Sequence, residues 1–289
     1  PFWYELARNG IRVTALDVPM TFPSRLKQGV EVVNWGSHDL LGTFHCNRRD
    51  IQRDIADHFG SHPMGMEIPV EKNRRQLSGI HHKLLAGIPK KRALIQYLME
   101  STNWDFFIAV FGEIHRGGHI LWPDDHAESK IPEHALVEVY QAIDDAIGLI
   151  LNQVDRINTQ VILFSLHGMA MNGSQEHFTA PTMDRNNSRF HPVYGRDRPN
   201  PAKQRSIMRL LREKVPSQLQ NSIARMVPVT ARGWVVGKAV SSGYQWEQTP
   251  GFALHADYNG YLRLNLKDRE SRGCLTKESI QYRHYIDWL

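Results

Sequence analysis

Apolar residues along the chain follow two patterns: short continuous runs, and longer stretches with helical spacing. The short runs are bounded by Gly, Pro, Asn or Asp, which is typical of strands covered on both faces of a parallel sheet. We therefore predict buried strands near residues 12–17 ("RVTALD"), 105–111 ("DFFIAVF") and 160–165 ("QVILFS"). Two further runs, "VEVVNWG" and "GYLRLNL", predict a second early strand and an alternating strand late in the chain.

Helical spacing predicts a short helix in "FWYELARNG", which ends at Gly10, and a long one from residue 76 to about 101. In "PEHALVEVYQAIDDAIGLILNQV" one stripe is apolar, which indicates an amphipathic helix; it comprises Leu136, Val139, Ile143, Ile147, Ile150 and Val154. "SIMRLLREKV" and "QLQNSIARMV" are also helical in pattern. "TKESIQYRHYIDWL" predicts a last helix with Thr276 as its N-cap.

The order strand, helix, strand between residues 104 and 165 predicts a crossover unit, and such units are right-handed in nearly all cases. We therefore predict an α/β fold with a mostly parallel central sheet and helices on both faces. We assign residues 1–289 to a single domain, although a chain of 289 residues can also hold two small ones. Residues 170–205 are polar and aperiodic, and they predict a long insert that serves as a lid or binding segment.

The charge of the chain bears on its partners. A net charge of +5 raises the question of nucleic-acid binding, but the Lys and Arg residues are scattered and form no basic block, so nucleic acid is not favoured. A basic surface that attracts an anionic small-molecule substrate fits equally well. No apolar run approaches the ~18 residues of a membrane span. Cys46 and Cys274 form no metal-type pair. A single disulfide between them is one interpretation, and a reducing, cytoplasmic location is the favoured one.

Two predicted strands end in residues that can bind a metal ion. "FGEIHRGGHILW" presents Glu113, His115 and His119, and "SLHGM" presents His167. Because parallel strands deliver their carboxyl ends to one edge of a sheet, we expect the three histidines to share a cleft with Glu113 close by. Imidazoles and a carboxylate suit zinc or another borderline transition metal. Structural histidines remain the alternative, since fifteen histidines make chance pairs at this spacing expected.

Weaker candidates lie further along the chain. His177 and Arg185 fall in the predicted insert, where they predict contacts to an anion or substrate, and a solvated loop is the competing interpretation. Ser165 is a poor candidate for a nucleophile because it does not lie within the Gly-x-Ser-x-Gly turn that exposes the serine of an α/β-hydrolase.

Four stretches resemble segments of one known family. "PFWYELARNGIRVTALDVPMTFP" is similar to its early helix, strand and "vP-t-P" run, and "NWDFFIAVFGEIHRGGHILW" to a strand that leads into Asp-x-x-x-His. "YQAIDDAIGLILNQVDRINTQVILFSLHGM" resembles its helix and the strand ending in Ser-Asp-His-Gly-Met, and this block is the most specific. "GYLRLNLKDRESRG" resembles its "G-x-x-x-N-L-x-G-R-E-x-x-G" stretch. The family is the type I phosphodiesterase/nucleotide pyrophosphatase branch of the alkaline phosphatase superfamily.

The resemblance implies an alkaline phosphatase-like fold, hydrolysis of phosphate esters (phosphodiesters in particular) and a divalent metal, zinc or manganese. His119 and His167 match metal ligands of the family, and His115 stands where the family usually has Asp. Leu166 stands in place of another ligand Asp, and because leucine cannot bind a metal, the usual two-metal site cannot be complete.

The resemblance also implies that parts of the usual site lie outside the sequence. The family's Thr or Ser nucleophile precedes the segment that matches Pro1, and its last His ligand follows the "N-L-x-G-R-E" stretch. We therefore expect an interior part of a longer protein, incomplete at both ends, and little or no activity of these 289 residues alone on phosphodiesters. The alternative function is a non-catalytic binding or interaction domain that keeps the fold after losing the Asp at position 166.

Overall fold

The computed structural model describes residues 1–22, 26–37, 43–65, 74–122, 134–170, 176–190, 245–254 and 261–289. The chain, which the sequence analysis treats as one domain, divides into two compact units. Described residues up to 170 belong to the first unit, and those from 176 onward belong to the second. The helices predicted in "SIMRLLREKV" and "QLQNSIARMV" lie outside the described residues.

The first unit is built on a four-stranded sheet in the order β3-β2-β1-β4. Its strands are β1 (Val13–Leu16), β2 (Val30–Val33), β3 (His45–Cys46) and β4 (Phe106–Ala109). β1 runs parallel to both β2 and β4, and only β3 is antiparallel to its neighbour. Every residue of β1 and β2 is buried. The predicted α/β class with a mostly parallel sheet is therefore confirmed.

Helices cover both faces of this sheet because side chains alternate along each strand. The helices of the first unit are α1 (Trp3–Arg8), α2 (Arg49–His58), α3 (Arg74–Ser101), α4 (Glu113–Leu121) and α5 (Ala135–Leu151). Val13 of β1 packs with Trp3 of α1 on one face. Leu16 of the same strand packs on the other face with side chains of α2 and α3, among them Ile55 and Leu98.

The helix that carries two of the predicted histidines, α4, packs against α3 and α5. Apolar side chains of α3, α4 and α5 form one buried cluster. It includes Leu84 of α3, Ile120 of α4 and Val139 of α5. The apolar stripe predicted on α5 faces this cluster, with Val139 and Ile143 fully buried. Packing on two long helices thus sets the position of α4.

The strand predicted at residues 160–165 is wrong. These residues form neither helix nor strand, and their apolar side chains are largely exposed, with Leu163 at 75% and Phe164 at 64%. A short apolar run becomes a strand only if a neighbouring strand supplies backbone hydrogen bonds, and none of the described strands pairs with it. For the same reason β4 is the outer strand among the described residues, and its side chains are half-buried instead of fully covered.

The second unit contains an antiparallel pair of strands and two helices among its described residues. They are α6 (Glu176–Phe190), β5 (Gly251–Leu254), β6 (Tyr261–Leu264) and α7 (Ile280–Asp287), with a 3-10 turn at Trp246–Gln248. Buried Tyr285 of α7 donates its hydroxyl hydrogen to Asn187 of α6, at 2.6 Å. Residues 176–190 of the aperiodic insert predicted over 170–205 are thus helical, while residues 171–175 and 191–205 lie outside the described residues.

The last helix begins three residues later than the sequence indicates. Ser279, not Thr276, is the N-cap of α7, and its hydroxyl accepts a hydrogen bond from the backbone N–H of Tyr282. Glu278 has a φ of 61°, a left-handed conformation that a right-handed helix cannot include, and so the helix cannot begin earlier. None of the helices in the described ranges combines the length and the apolar character needed to span a bilayer.

Candidate active site

The carboxyl ends of the parallel strands meet at one edge of the sheet, which is where ligands bind in open α/β folds. Asp17 follows β1 directly, and Trp35 and Gly36 follow β2 after one residue. Three residues, 110–112, join β4 to α4, so the first turn of α4 begins at this edge. The edge therefore brings together residues that are distant in the sequence.

α4 presents His115 and His119 on one face, because residues four apart lie one above the other on a helix. Their Nε2 atoms are 3.1 Å apart, and since both rings cannot donate to each other, one donates to the lone pair of its neighbour. His119 is exposed and His115 is half-buried. Two nitrogens bound to one tetrahedral zinc at about 2.0–2.1 Å lie about 3.3 Å apart, close to this separation.

His167 lies next to this pair, with its ring centroid 5.9 Å from that of His115. The Nδ1 atom of His167 is 3.0 Å from the carbonyl oxygen of Gly168. A carbonyl only accepts, so Nδ1 carries the proton and the lone pair is on Nε2, the arrangement usual for a metal-binding histidine. The structure thus brings the three predicted histidines together, although the segment that carries His167 is not a strand.

Glu113 does not point to the histidines but lies in the interior. Its side chain is fully buried, and its Oε1 atom is 2.9 Å from Nε2 of His62. The Nδ1 atom of His62 accepts from the backbone N–H of Met64, so Nε2 must carry the proton and donate it to Glu113. The prediction that Glu113 lies with the three imidazoles is therefore wrong, and its partner His62 could not be identified from the sequence pattern.

Glu113 belongs to a buried ion network centred on Lys91 of α3. The Nζ atom of Lys91 is 2.6 Å from Oδ2 of Asp17 and 3.9 Å from Oε1 of Glu113. Lys91 also donates to the carbonyl of Val110, at 3.3 Å. Asp17 accepts two further hydrogen bonds, from the backbone N–H groups of Trp35 and Gly36. The network ties the ends of β1, β2 and β4 to the start of α4.

Burial and pairing act in opposite directions on the pKa values of this network. Burial by itself lowers the pKa of Lys91, but the charges of Asp17 and Glu113 outweigh burial and raise it. Burial alone would raise the pKa of Glu113, yet the charge of Lys91 and the hydrogen bond from His62 bring it below its ordinary value. Burial lowers the pKa of His62, which keeps its ring neutral. The network therefore holds Lys91 and Glu113 as ions at neutral pH.

The sequence carried one signal for this network. Lys91 is three residues after Ile88 and four before Ile95, which places it on the apolar stripe of α3 rather than on the solvated face. Its neighbours Lys90 and Arg92 make the run look like an ordinary basic surface. A lysine on a buried helical stripe needs an acidic partner, and that expectation would have pointed to an Asp at a strand end.

The family of the chain follows from a comparison with protein-family models. The model of the family described as type I phosphodiesterase / nucleotide pyrophosphatase matches residues 1–251. The chain belongs to this family. No curated protein and no solved structure matches the chain. Membership of the type I phosphodiesterase/nucleotide pyrophosphatase family places the chain in the alkaline phosphatase superfamily and suggests the hydrolysis of phosphate esters.

Members of the type I phosphodiesterase family are generally metal-dependent, which raises the question of whether these residues fit a metal ion. Within the described ranges, no group of three or more His, Cys, Asp or Glu has the geometry to hold one. The Nε2 atoms of His115 and His119 have the separation expected of two ligands of one ion, and in the neutral ring of His167 the lone pair is on Nε2. Leu166 is 88% exposed and has no donor atom. The imidazole nitrogens suit a transition metal and furnish only part of a coordination shell.

The remaining candidates have other surroundings. The Ser165 hydroxyl donates to the backbone carbonyl of His167, at 2.6 Å, so it shapes the local turn. His177 and Arg185 both lie on α6 of the second unit, where Arg185 is exposed. Their contact with substrate stays a prediction.

Proposed function

We propose that the protein is a metal-dependent hydrolase of phosphate esters, with phosphodiesters as the first substrates to test. The observation that carries the proposal is the 3.1 Å separation of the His115 and His119 Nε2 atoms in a chain that belongs to the type I phosphodiesterase family. These two residues would hold a zinc or manganese ion, and His167 would be the third ligand. A bound ion would act as a Lewis acid on a phosphoryl oxygen.

The residues of the chain support this role in two ways. The net charge of +5 favours the approach of an anionic ester. The Nδ1–H of His167 donates to a carbonyl, so that in the neutral ring the lone pair for a metal ion is on Nε2. The ion network of Lys91 is fully buried and has no contact with solvent, so it supports the site from the interior rather than binding substrate.

The test is an assay of the purified full-length protein, because we expect little activity of these 289 residues alone. Aryl phosphodiesters, phosphomonoesters and sulfate esters are assayed after removal of metal and after reloading with zinc or manganese. We expect activity only after reloading. His119→Ala should lower the rate on the diester by ~100-fold or more, comparable to the loss of one strong transition-state contact. The matched control is His82→Ala, since His82 is an exposed histidine on α3.

Two results would count against the proposal in different ways. An unchanged rate in His119→Ala would remove this residue from the mechanism. Complete inactivity of the metal-loaded protein on all three classes of ester would favour the alternative, a binding or interaction domain that keeps the fold.

A further inference from the structure

The segment that carries His167 has few contacts with the other described residues. Residues 160–170, all of them described, form neither helix nor strand. Each of them is exposed except Met169, which is half-buried. Two short-range hydrogen bonds, from Ser165 to His167 and from His167 to Gly168, shape the turn, and among the described residues no further hydrogen bond joins it to the rest of the first unit. The packing of Met169 is therefore the contact to consider as an anchor for this segment.

Met169 packs directly on the backbone of α4 at Gly118. A methyl group placed on Gly118 would lie 2.6 Å from Cε of Met169 and 3.1 Å from its Cγ, both well inside van der Waals contact. The thioether side chain thus occupies the space that any larger residue at position 118 would fill. The preceding residue, Gly117, faces α5 instead. A methyl group placed on Gly117 would lie 3.3 Å from Cδ1 of Leu136.

This contact lies in the same helical turn as the histidine pair. Gly118 directly precedes His119 and is three residues after His115, while Met169 is two residues after His167. Two residues of chain span at most about 7 Å, so an anchored Met169 leaves the His167 backbone little freedom. The ring of His167 lies beside that of His115, with the two centroids 5.9 Å apart.

We propose that Met169 is a positioning residue, whose contact with Gly118 holds His167 beside the His115–His119 pair. Its consequence for metal binding rests on the proposed function. A methionine suits this role because its unbranched, flexible side chain can follow a bare stretch of helix backbone. Gly118 has no side chain, and this leaves the space on α4 that the Met169 side chain occupies.

The first test measures the position of His167 in the metal-free protein. With ¹³C-labelled histidine, we expect a nuclear Overhauser effect between the ring protons of His115 and His167 in the wild type. Met169→Ala should abolish it, and Met169→Leu, which conserves volume, should retain it. The control is Leu166→Ala, which removes a similar apolar side chain that is 88% exposed, and it should also retain the effect. A retained effect in Met169→Ala would overturn the proposal.

Gly118→Ala tests the same contact by changing the residue on α4 instead of Met169. The added methyl group would occupy the space of Met169, and we expect the same loss of the signal between His115 and His167. Both variants should melt within a few degrees of the wild type, because Met169 is half-buried and belongs to none of the buried clusters that the described residues form. Signal loss without a change in melting separates positioning from a general loss of structure.

The second test measures zinc affinity by competition with a chromophoric chelator. We expect Met169→Ala to weaken zinc binding by about 10–100-fold, the usual effect of losing a residue that orients a ligand. Loss of the ring signal with unchanged zinc affinity would leave Met169 as the anchor of His167 but overturn His167 as a ligand. Absence of zinc binding in the wild type would count against the proposed function, while the ring signal would still decide the role of Met169.

Discussion

At the scale of single residues, Lys91 shows that two adjacent lysines can differ completely in burial. Lys91 and Lys90 are adjacent on α3, yet Lys91 is fully buried between two carboxylates while Lys90 is exposed. Gly36 contributes to this burial, because a side-chain carbon there would lie 2.8 Å from the Nζ atom of Lys91. The ammonium group therefore has a fixed cavity between Asp17, Glu113 and the ring of Trp35.

We expect Lys91→Met to destabilise the protein by about 3–5 kcal/mol, because removing one member of a buried ion pair leaves the other charge without compensation. Lys90→Met is the matched control, and a surface substitution of this kind should change stability by no more than about 0.5 kcal/mol. Denaturant unfolding of the wild type and both variants measures the difference. Equal midpoints for the two variants would show that Lys91 is not buried as an ion.

At the scale of elements, α3 contains two glycines with opposite surroundings. A side-chain carbon on Gly87 would lie 2.4 Å from Nε2 of His62, the atom that donates to Glu113, whereas nothing lies within 4 Å of the same position on Gly79. Glycine is unfavourable in a helix interior by about 1 kcal/mol relative to alanine. Gly87 therefore persists in α3 at a cost in helix stability, and the close approach of His62 is the physical reason.

We expect Gly79→Ala to raise the free energy of unfolding by about 0.5–1 kcal/mol through helix propensity. Gly87→Ala should instead lower it by about 1–3 kcal/mol, since the added methyl group displaces a buried ring. The two variants make the same chemical change in one helix, so urea titration of both isolates the contact with His62. Stabilisation by both substitutions would mean that His62 can move aside without loss.

α4 is the element that joins the interior to the candidate site. Its first residue, Glu113, enters the buried network, and His115 and His119 of the next turns face the other way. A 9-residue helix with both functions cannot rotate without breaking one of them. The two glycines between the histidines let α5 and Met169 approach the helix closely. The orientation of the histidine pair is therefore set by contacts on the opposite side of α4.

At the scale of the whole molecule, the buried ions define a pH window of stability. The pKa of Glu113 is lower in the folded state than its usual ~4.3, so its contribution is present above that pH and is lost as the pH falls through the folded pKa. The pKa of Lys91 is higher than its usual ~10.4, so its contribution is present below that pH and is lost as the pH rises through the folded pKa.

We therefore expect the contribution of this network to the free energy of unfolding to be constant between about pH 5 and pH 10. It should decrease below and above this range. Glu113→Gln should reduce the fall on the acid side, because the variant no longer has the carboxylate that titrates. Urea unfolding of both proteins from pH 3 to pH 8 gives the difference. A parallel pH dependence of the two proteins would show that folding does not lower the pKa of Glu113.

Local pattern alone predicted a large part of the fold. The apolar run at 12–17 became β1, and the spacing at 76–101 became α3, since period and propensity are properties of neighbouring residues. The same local information failed at residues 160–165, whose apolar run has the composition of a strand but no neighbouring strand among the described residues. It also missed α6, because its polar sequence has no clear apolar stripe.

In the candidate site, too, local sequence determined some features and tertiary contacts determined others. The sequence by itself determined which side chains can bind a metal and that His115 and His119 are one helical turn apart, because that spacing is local. Only the tertiary structure decided that Glu113 points inward and that Met169 places His167 beside the pair. It also decided that Lys91, and not the adjacent Lys90, is buried with its charge. These choices depend on partners such as Asp17, 74 residues from Lys91, and no local pattern carries information about a contact at that separation.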